Sequence, residues 1–533
     1  MPHQVNTRNL VASWEAPVQG VIRNIPPHRL PEDALYEAKN VVYRDGYLVK
    51  RSGLVEFIAA GVLARPMGLI SIPSLGGPAF QSDAFQEDTF QMGTDGEILV
   101  AVTTQKILAY YGGVWNDLIQ TPASEALTGG ASDPARIATM EVEDDEQGSG
   151  VLIMVVNGFD IPRFWNLQDR YSTVGTGWPT FSDVTVVADR FVGVAPPYKI
   201  QWGEVFSKAA PSALNVRILA DTTDKVVAIR RLGITGCAVF KEETLWTGTI
   251  QGGPSSQVFR WDYRGNYDGP AGPSAIEDVN GTLYYMTATG RIGSFNSITH
   301  KWLVDGAWPQ VRDGSASFPA FDVQYANRVF TMQHPFHNEV WFFYPQVGDG
   351  GDLHGVLILT IPDPSQGEQR HAGFPGRLSI PVSAATHRHG VNQDALVAMS
   401  STDFRVLKAT DNASDLGSSF SGYWRHGLVG VQGLVPYRLD AHESFFSRNT
   451  GYGTLTTKVV TSNKLDKVGG TASATATTID LTNDTAVLDE KGDDIRARFF
   501  GMLYEFTSAA RPEFMGTRLS AHNTENAPKD THG

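Results

Sequence analysis

The sequence predicts a mainly β protein: a β-propeller of about six blades over residues 66–412, then a C-terminal antiparallel β-domain at 420–522. Three observations predict it. Glycine is abundant, 54 of 533 residues, and aromatics make up 10% of the chain while charged residues make up only 19%; that balance favours short strands joined by tight turns. From 66 to 410 an apolar strand, a turn and an aromatic-bearing strand recur every 40 to 70 residues or so, close to blade length at the short end. After about 420 this rhythm stops, and Y-R-L-D-A-H-E-S-F-F, T-L-T-T-K-V-V-T-S and A-R-F-F-G-M-L-Y-E-F-T-S read as plain alternating strands.

The chain opens with a segment, 1–65, expected to hold an arm, a short helix and a hairpin. The arm carries Pro2, Pro17, Pro26 and Pro27 and no sustained period, with Leu10 and Trp14 as its large apolar anchors. P-E-D-A-L-Y-E-A-K-N reads as a helix, with Pro31 and acids in its first turn and Asn40 at its end. V-V-Y-R-D-G-Y-L-V-K-R reads as a hairpin about Asp45-Gly46.

Six units follow. G-E-I-L-V-A-V-T pairs with K-I-L-A-Y-Y, G-V-L-I-M-V-V-N with D-I-P-R-F-W, and K-V-V-A-I-R-R-L with C-A-V-F-K-E-E-T-L-W. G-T-L-Y-Y-M-T pairs with G-R-I-G-S-F, N-R-V-F-T-M with N-E-V-W-F-F-Y, and D-A-L-V-A-M-S with F-R-V-L-K-A-T. One strand pair cannot bury both its faces, so the units should stack side by side; two β-sandwiches are the alternative. Within the first unit, A-F-Q-S-D, A-F-Q-E-D and T-F-Q-M-G repeat with a period of five. That suits neither strand nor helix, and implies a loop whose Phe80, Phe85 and Phe90 dock on a neighbour in the same chain or another copy. These phenylalanines and Trp14 are the candidate inter-subunit contacts. S-D-L-G-S-S-F-S-G reads as a linker before the C-terminal domain, Lys464 to Thr478 as an exposed loop and 523–533 as a flexible tail.

A single cysteine, Cys237, excludes an intramolecular disulfide and paired-thiolate zinc sites. It sits in the apolar run I-T-G-C-A-V-F, the setting of a buried small hydrophobe. No apolar stretch approaches the roughly 18 residues of a membrane span, and the N-terminus lacks a secretory core, so folding in a cytoplasm is expected. The net charge of −14 argues against a grip on nucleic acid. It is compatible with a surface that DNA slides past.

The chemistry of catalysis is sparse. There is no phosphate-cradling loop, nucleophile elbow or zinc-protease helix, and no Asp-box repeat of the sialidase type. Neither cofactor nor metal is expected. His334, His337, His354, His371, His387 and His389 cluster in sequence, and H-P-F-H or H-R-H could place two imidazoles on one metal, as H-x-H pairs do around the axis of trimeric fibres. Surface or interface histidines are the plainer reading. Glu141, Glu143, Asp144, Asp145 and Glu146 form an acidic block before Gly and Ser, read as a solvated loop on a surface or in a lumen.

One segment goes beyond composition. N-I-P-P-H-R-L-P-E-D-A-L-Y-E-A-K-N-V-V-Y-R-D-G-Y-L-V-K-R-S-G-L, residues 24–54, resembles the N-terminal signature of bacteriophage tail proteins. There an acidic helix ends in Asn, a strand reaches an Asp-Gly turn, and the return strand ends Lys-Arg shortly before Gly; here these are Asn40, Asp45, Gly46, Lys50, Arg51 and Gly53. G-R-I-G-S-F-N-S and E-F-M-G-T-R-L-S-A are similar to the same group. The nearest family is the nozzle, or tail tubular protein B, of short-tailed phages (podoviruses). The resemblance implies a structural, non-enzymatic virion protein made in the host cytoplasm, a homo-hexameric ring with a propeller in each subunit. Its partners would be the adaptor (head–tail connector) protein, tail tip, needle or fibre proteins, and viral DNA passing transiently during ejection. A receptor-binding tail fibre or adhesin, and a propeller-type glycan hydrolase with paired carboxylates, are the alternatives.

The acidic block is testable directly. Around a ring its carboxylates would repel phosphate, whereas on an outer surface salt screens them within about 8 Å. Replacing all five acids with lysine should slow DNA exit if they line the lumen, more at low salt than at high salt. Unchanged ejection rates at both salt concentrations, in virions containing the variant, would remove the loop from the channel.

Overall fold

The structure is a computed structural model. It describes residues 9–73, 97–111, 113–119, 126–142, 150–167, 169–251, 258–315, 318–362, 371–388, 395–411, 414–430, 437–446, 454–462, 471–480, 486–490, 496–497, 499–506 and 512–523. Five four-stranded antiparallel sheets follow one another along the chain. Blade 1 holds Pro66–Pro73, Glu97–Thr103, Ile107–Tyr111 and Val114–Asp117; blade 2 holds Arg136–Val142, Gly150–Val156, Arg163–Trp165 and Thr173–Val174. Blade 3 holds Asp183–Val187, Arg190–Ala195, Lys199–Trp202 and Val216–Ile218; blade 4 holds Val226–Leu232, Gly236–Lys241, Thr244–Ile250 and Phe259–Asn266. Blade 5 holds Ile276–Val279, Thr282–Met286, Ile292–Phe295 and His300–Leu303.

The next sheet has seven strands and serves as two blades. Phe330–His334, Glu339–Tyr344 and Leu353–Thr360 pair in turn and end on the first half of a long strand, Ala372–Arg388. The register then shifts: Gly355 pairs with Arg377, but Leu353 pairs with Val382. From Val382 onward the long strand pairs with Ala395–Ser400, which continues to Val406–Thr410 and Gly53–Ile58. The first half completes blade 6 and the second half opens blade 7. The opening strands of the seven blades neighbour one another in a closed ring, blade 7 against blade 1. Gly53–Ile58, which precedes blade 1 in sequence, is the last strand of blade 7 and so ties the ring shut.

The propeller is the fold expected. The six units read from sequence are blades 1, 2, 4, 5, 6 and 7, and blade 3 is the addition. Its first hairpin turns at Ala188-Asp189, both in the left-handed region at φ 42° and 58° with no glycine, so the usual turn signal is missing.

Alternation explains the cores. In Gly150–Val156, Ile153 and Val155 pack with Val100 and Ile107 of blade 1, while Leu152, Met154 and Val156 pack with Phe181, Val184 and Phe191 of blade 3. In Gly236–Lys241, Cys237 and Val239 join Val192 and Trp202 of blade 3, while Ala238 and Phe240 join Leu283, Tyr285 and Phe295 of blade 5. Successive side chains leave a strand on opposite faces, so each blade serves two apolar interfaces. Burying one such Val, Leu or Phe contributes about 1.5–3 kcal/mol. Cys237 is fully buried, and burial pushes its thiol pKa up to about 12.

The C-terminal β-domain is two sheets face to face, built from both ends of the described chain. One holds Val41–Arg44, Tyr47–Lys50, Glu513–Asn523, Tyr437–Phe446 and Ala486–Glu490, with Asn9–Glu15 paired to Glu513–Asn523. The other holds Leu35–Lys39, Gly422–His426, Phe499–Phe506, Thr454–Ser462 and Thr471–Asp480. Between them the Trp424 ring stacks on Tyr504 at 4.9 Å and meets Phe514 at 5.3 Å.

Four expectations are corrected. The segment read as a helix is the strand Leu35–Lys39: Ala34, Leu35, Tyr36 and Ala38 are all buried, and tertiary burial overrides helix propensity. Asn40, read as a helix end, has φ 60° and passes the chain from one sheet to the other. Within the stretch read as a loop from Lys464 to Thr478, residues 471–478 belong to the strand Thr471–Asp480. Trp14, expected at an inter-subunit contact, is 3% exposed in this chain, its ring 5.5 Å from His426, and so is a core residue of the sandwich. Sequence boundaries at 65 and 420 also divide differently in space, because strands before residue 51 join the sandwich and 53–58 joins the propeller. Among the described residues no helix is long and apolar enough to cross a membrane.

His426 is 1% exposed, and neither ring nitrogen has a hydrogen-bond partner. Burial lowers its pKa from the ordinary 6.5 to about 3. The unfolded chain therefore binds a proton that the folded one refuses, and stability present above pH 6.5 is lost as pH falls toward 3. Urea midpoints of the His426→Phe variant should match the parent at pH 7.5. They should fall less by pH 4.5, sparing up to about 2–3 kcal/mol. An unchanged pH slope would show that His426 is not held neutral.

Candidate functional site

The residues of the 24–54 signature meet at the junction of sandwich and propeller. Asn40 turns the chain, and its side chain then joins three segments: Oδ1 accepts from the Arg377 amide at 2.7 Å and from Arg51 Nε at 3.0 Å, and Nδ2 donates to the Ser421 carbonyl at 2.8 Å. Asp45 and Gly46, at φ 49° and 91°, make the left-handed hairpin turn that returns the chain to Lys50 and Arg51.

Arg51 is the centre. Its guanidinium meets both Asp415 oxygens at 3.1 and 2.7 Å and donates to the carbonyls of Ser52 and Arg377 at 2.8 and 2.9 Å. Both side chains are fully buried. Asp415 also accepts from the amides of Leu54 at 3.1 Å and Ser379 at 2.8 Å. Burial alone would raise the Asp415 pKa; the Arg51 charge and these hydrogen bonds outweigh it and hold it below its usual value. Phe420 lies 3.8 Å from the Arg51 guanidinium and 4.1 Å from Lys50 Nζ. The stretch read as a linker thus supplies a buried counter-ion and an aromatic lid.

A second anchor sits beside it. Arg44 forks onto Glu339 of blade 6 at 2.6 and 3.0 Å and reaches Asp411 at 3.0 Å. Glu339 is fully buried and also accepts from Trp341 Nε1 at 2.8 Å. Asp411 in turn meets His337 Nε2 at 3.0 Å.

The propeller axis is crossed by charge. Asp183, fully buried at the start of blade 3, takes Arg136 of blade 2 at 3.2 Å and Arg230 of blade 4 at 2.6 Å, and accepts the Ile229 amide at 2.8 Å. Glu277 of blade 5 lies 3.5 Å from His387 of blade 7. A cavity of about 210 Å³ is left, lined mainly by the opening strands of blades 1, 2, 5, 6 and 7.

Of the histidines that cluster in sequence, His334 and His337 stay neighbours, while His354 and His371 are held by other partners. His334 is buried 4.9 Å from the His337 ring, His354 meets the Leu378 carbonyl at 3.0 Å, and His371 meets the Tyr284 hydroxyl at 3.2 Å. Among the described residues no three His, Cys, Asp or Glu side chains are grouped to hold a metal. His389 lies outside the described residues, as do Phe80, Phe85, Phe90, Glu143, Asp144, Asp145 and Glu146. Glu141 is exposed near the end of the opening strand of blade 2, at the opposite end from Arg136. Sequence reasoning missed Asp183, Glu339 and Asp415. The available signal was an acid beside apolar residues, in S-D-V-T-V-V, N-E-V-W-F-F and S-D-L.

No protein-family model matches the chain, and no curated protein matches it. Among solved structures it is similar to Raptor from Chaetomium thermophilum, at 10% identity and a TM-score of 0.40, over 69% of this chain and 30% of that one. It is also similar to BBS1N, solved in complex with ARL6DN, at 12% identity and a TM-score of 0.41, over 69% of this chain and 99% of that one. At these scores the likenesses add nothing to what the strand pairing gives.

Removing one partner of a buried ion pair leaves the other charge stranded, typically at a cost of about 3–5 kcal/mol, whereas replacing both with apolar groups is far milder. Asp415→Ala should lower stability by that amount in urea unfolding. The double variant Arg51→Met, Asp415→Leu should recover a substantial part. A loss under about 1 kcal/mol for the single variant would deny the pair its structural weight.

Proposed function

We propose that this chain is a structural protein of a phage tail, specifically the nozzle ring that extends the DNA-ejection channel below the adaptor ring. One observation carries the reading. Among the residues resembling the phage-tail signature, Asn40 and Arg51 join sandwich to propeller, and Asp45 and Gly46 make the hairpin turn that leads the chain back to them. A match at such positions reflects shared construction more than shared composition.

The charge supports it. An excess of 14 negative charges suits a wall that lets phosphate pass without adhering. On this reading the protein is not an enzyme. It assembles as a homo-oligomer, six-fold by the family resemblance, in the virion tail. The adaptor protein lies above it, tail tip, needle or fibre proteins lie below, and viral DNA is a transient visitor.

Electron microscopy of the purified protein, alone and after incubation at high concentration, tests this. Closed rings with an axial hole wide enough for duplex DNA are expected. Slender trimers would favour a fibre. Compact monomers that release reducing sugar from host polysaccharide would favour the hydrolase.

A further inference from the structure

The cavity on the propeller axis has the chemistry of a binding site, and its argument is independent of any place in a phage tail. Three guanidiniums line it, from Arg65, Arg136 and Arg328, against the single carboxylate of Glu277. Behind them Asp183 is shared between Arg136 and Arg230, and Asp352 meets Arg65 at 2.9 Å. Four guanidiniums thus face three carboxylates, a local positive excess inside a chain of net charge −14. Among its hydrogen bonds, Arg328 gives its donors to neutral groups: Ser132 Oγ at 3.1 Å and the Gly351 carbonyl at 3.0 Å. Burial first, and then the nearby Arg65 charge, lower the Arg328 pKa against the opposing pull of Asp352, so two cations share one carboxylate there.

Donors are also left over. Arg65 Nε is sealed from water without a partner. Thr331 is 2% exposed, lines the cavity, and its hydroxyl has no partner either. A buried unsatisfied polar group costs about 1–3 kcal/mol, and like charges held together cost more. One anion would relieve both. Guanidinium forks match carboxylate and phosphate oxygens, and a cavity of about 210 Å³ admits a small molecule only.

We propose that the axial cavity binds a small oxyanion, of the carboxylate or phosphate type, held by Arg65, Arg328 and Thr331. Its mouth is set by residues just before the opening strands of blades 1 and 6, where Arg65 and Arg328 stand. Glu277, which also lines the cavity, repels a second negative group and so favours ligands with one compact anionic end.

The test is calorimetry and thermal melting of the full chain with sodium acetate and sodium phosphate, each against sodium chloride at matched ionic strength. Saturable binding by at least one is expected, with a rise in Tm beyond the chloride control; which one binds identifies the anion type. Arg328→Gln should weaken binding at least tenfold, and Thr331→Val a few-fold. Because Arg328 also holds neighbouring carbonyls, Arg65→Gln is the second variant, and each is first shown to melt cooperatively. Absence of saturable binding by both anions in the parent would overturn the proposal, and so would unchanged affinity in the folded Arg65→Gln or Thr331→Val variant.

Discussion

A guanidinium and a carboxylate, 364 residues apart in sequence and both sealed from water, hold the two halves of this molecule together. Arg51 lies between the last hairpin strand of the sandwich and Gly53–Ile58, the strand that closes the propeller. Asp415 lies where the chain leaves blade 7 for the sandwich. The pair therefore clamps both crossings between domains. Isolated charges at such depth would be prohibitive. They are tolerable because every side of the pair is met: Asn40, two carbonyls and the Phe420 face around Arg51, two amides around Asp415.

The same crossing resolves the problem of closing a ring of sheets. A propeller built from consecutive blades leaves an open seam between last and first. Here the seam is closed by a strand from before blade 1, antiparallel to Val406–Thr410. Once that strand is committed, the residues before it have to go elsewhere, and they complete the sandwich with the C-terminal strands. Leu48 pairs with Phe514 in one sheet and Leu35 with His426 in the other, so neither sandwich sheet is the work of one end of the chain. The hairpin, the clamp and the start of the closing strand follow one another along residues 40–54, the second half of the 24–54 segment.

What was legible in the sequence follows from range. G-C-A-V-F and V-L-I-M-V-V could be read as strands because alternation and β-branching are local properties, and Asp45-Gly46 declared its turn. Leu35–Lys39 could not be read, because five residues with helix-forming Leu, Glu, Ala and Lys become a strand only through pairing with Gly422–His426. Blade 3 was missed for want of a glycine turn. The site was less legible still. Of the clamp residues, Arg51 stood out only through a family resemblance and Asn40 was read as a helix end, and their partners Asp415, Arg377 and Ser421 lie hundreds of residues away. The arginines of the axial cavity gave no local signal at all.

The occupied axis constrains how such a subunit could serve a channel. Asp183 bridges Arg136 and Arg230 across the opening strands of blades 2, 3 and 4, and Glu277 approaches His387 from blade 5 to blade 7. What remains admits a small ion or molecule and nothing of a duplex's girth. In a nozzle the passage for DNA would have to run between copies, walled by blade edges or sandwich faces, and not through any propeller. The charge arrangement agrees with that division. The net charge of −14 belongs to the whole chain, while the local positive excess is confined to a cavity that a polymer cannot enter.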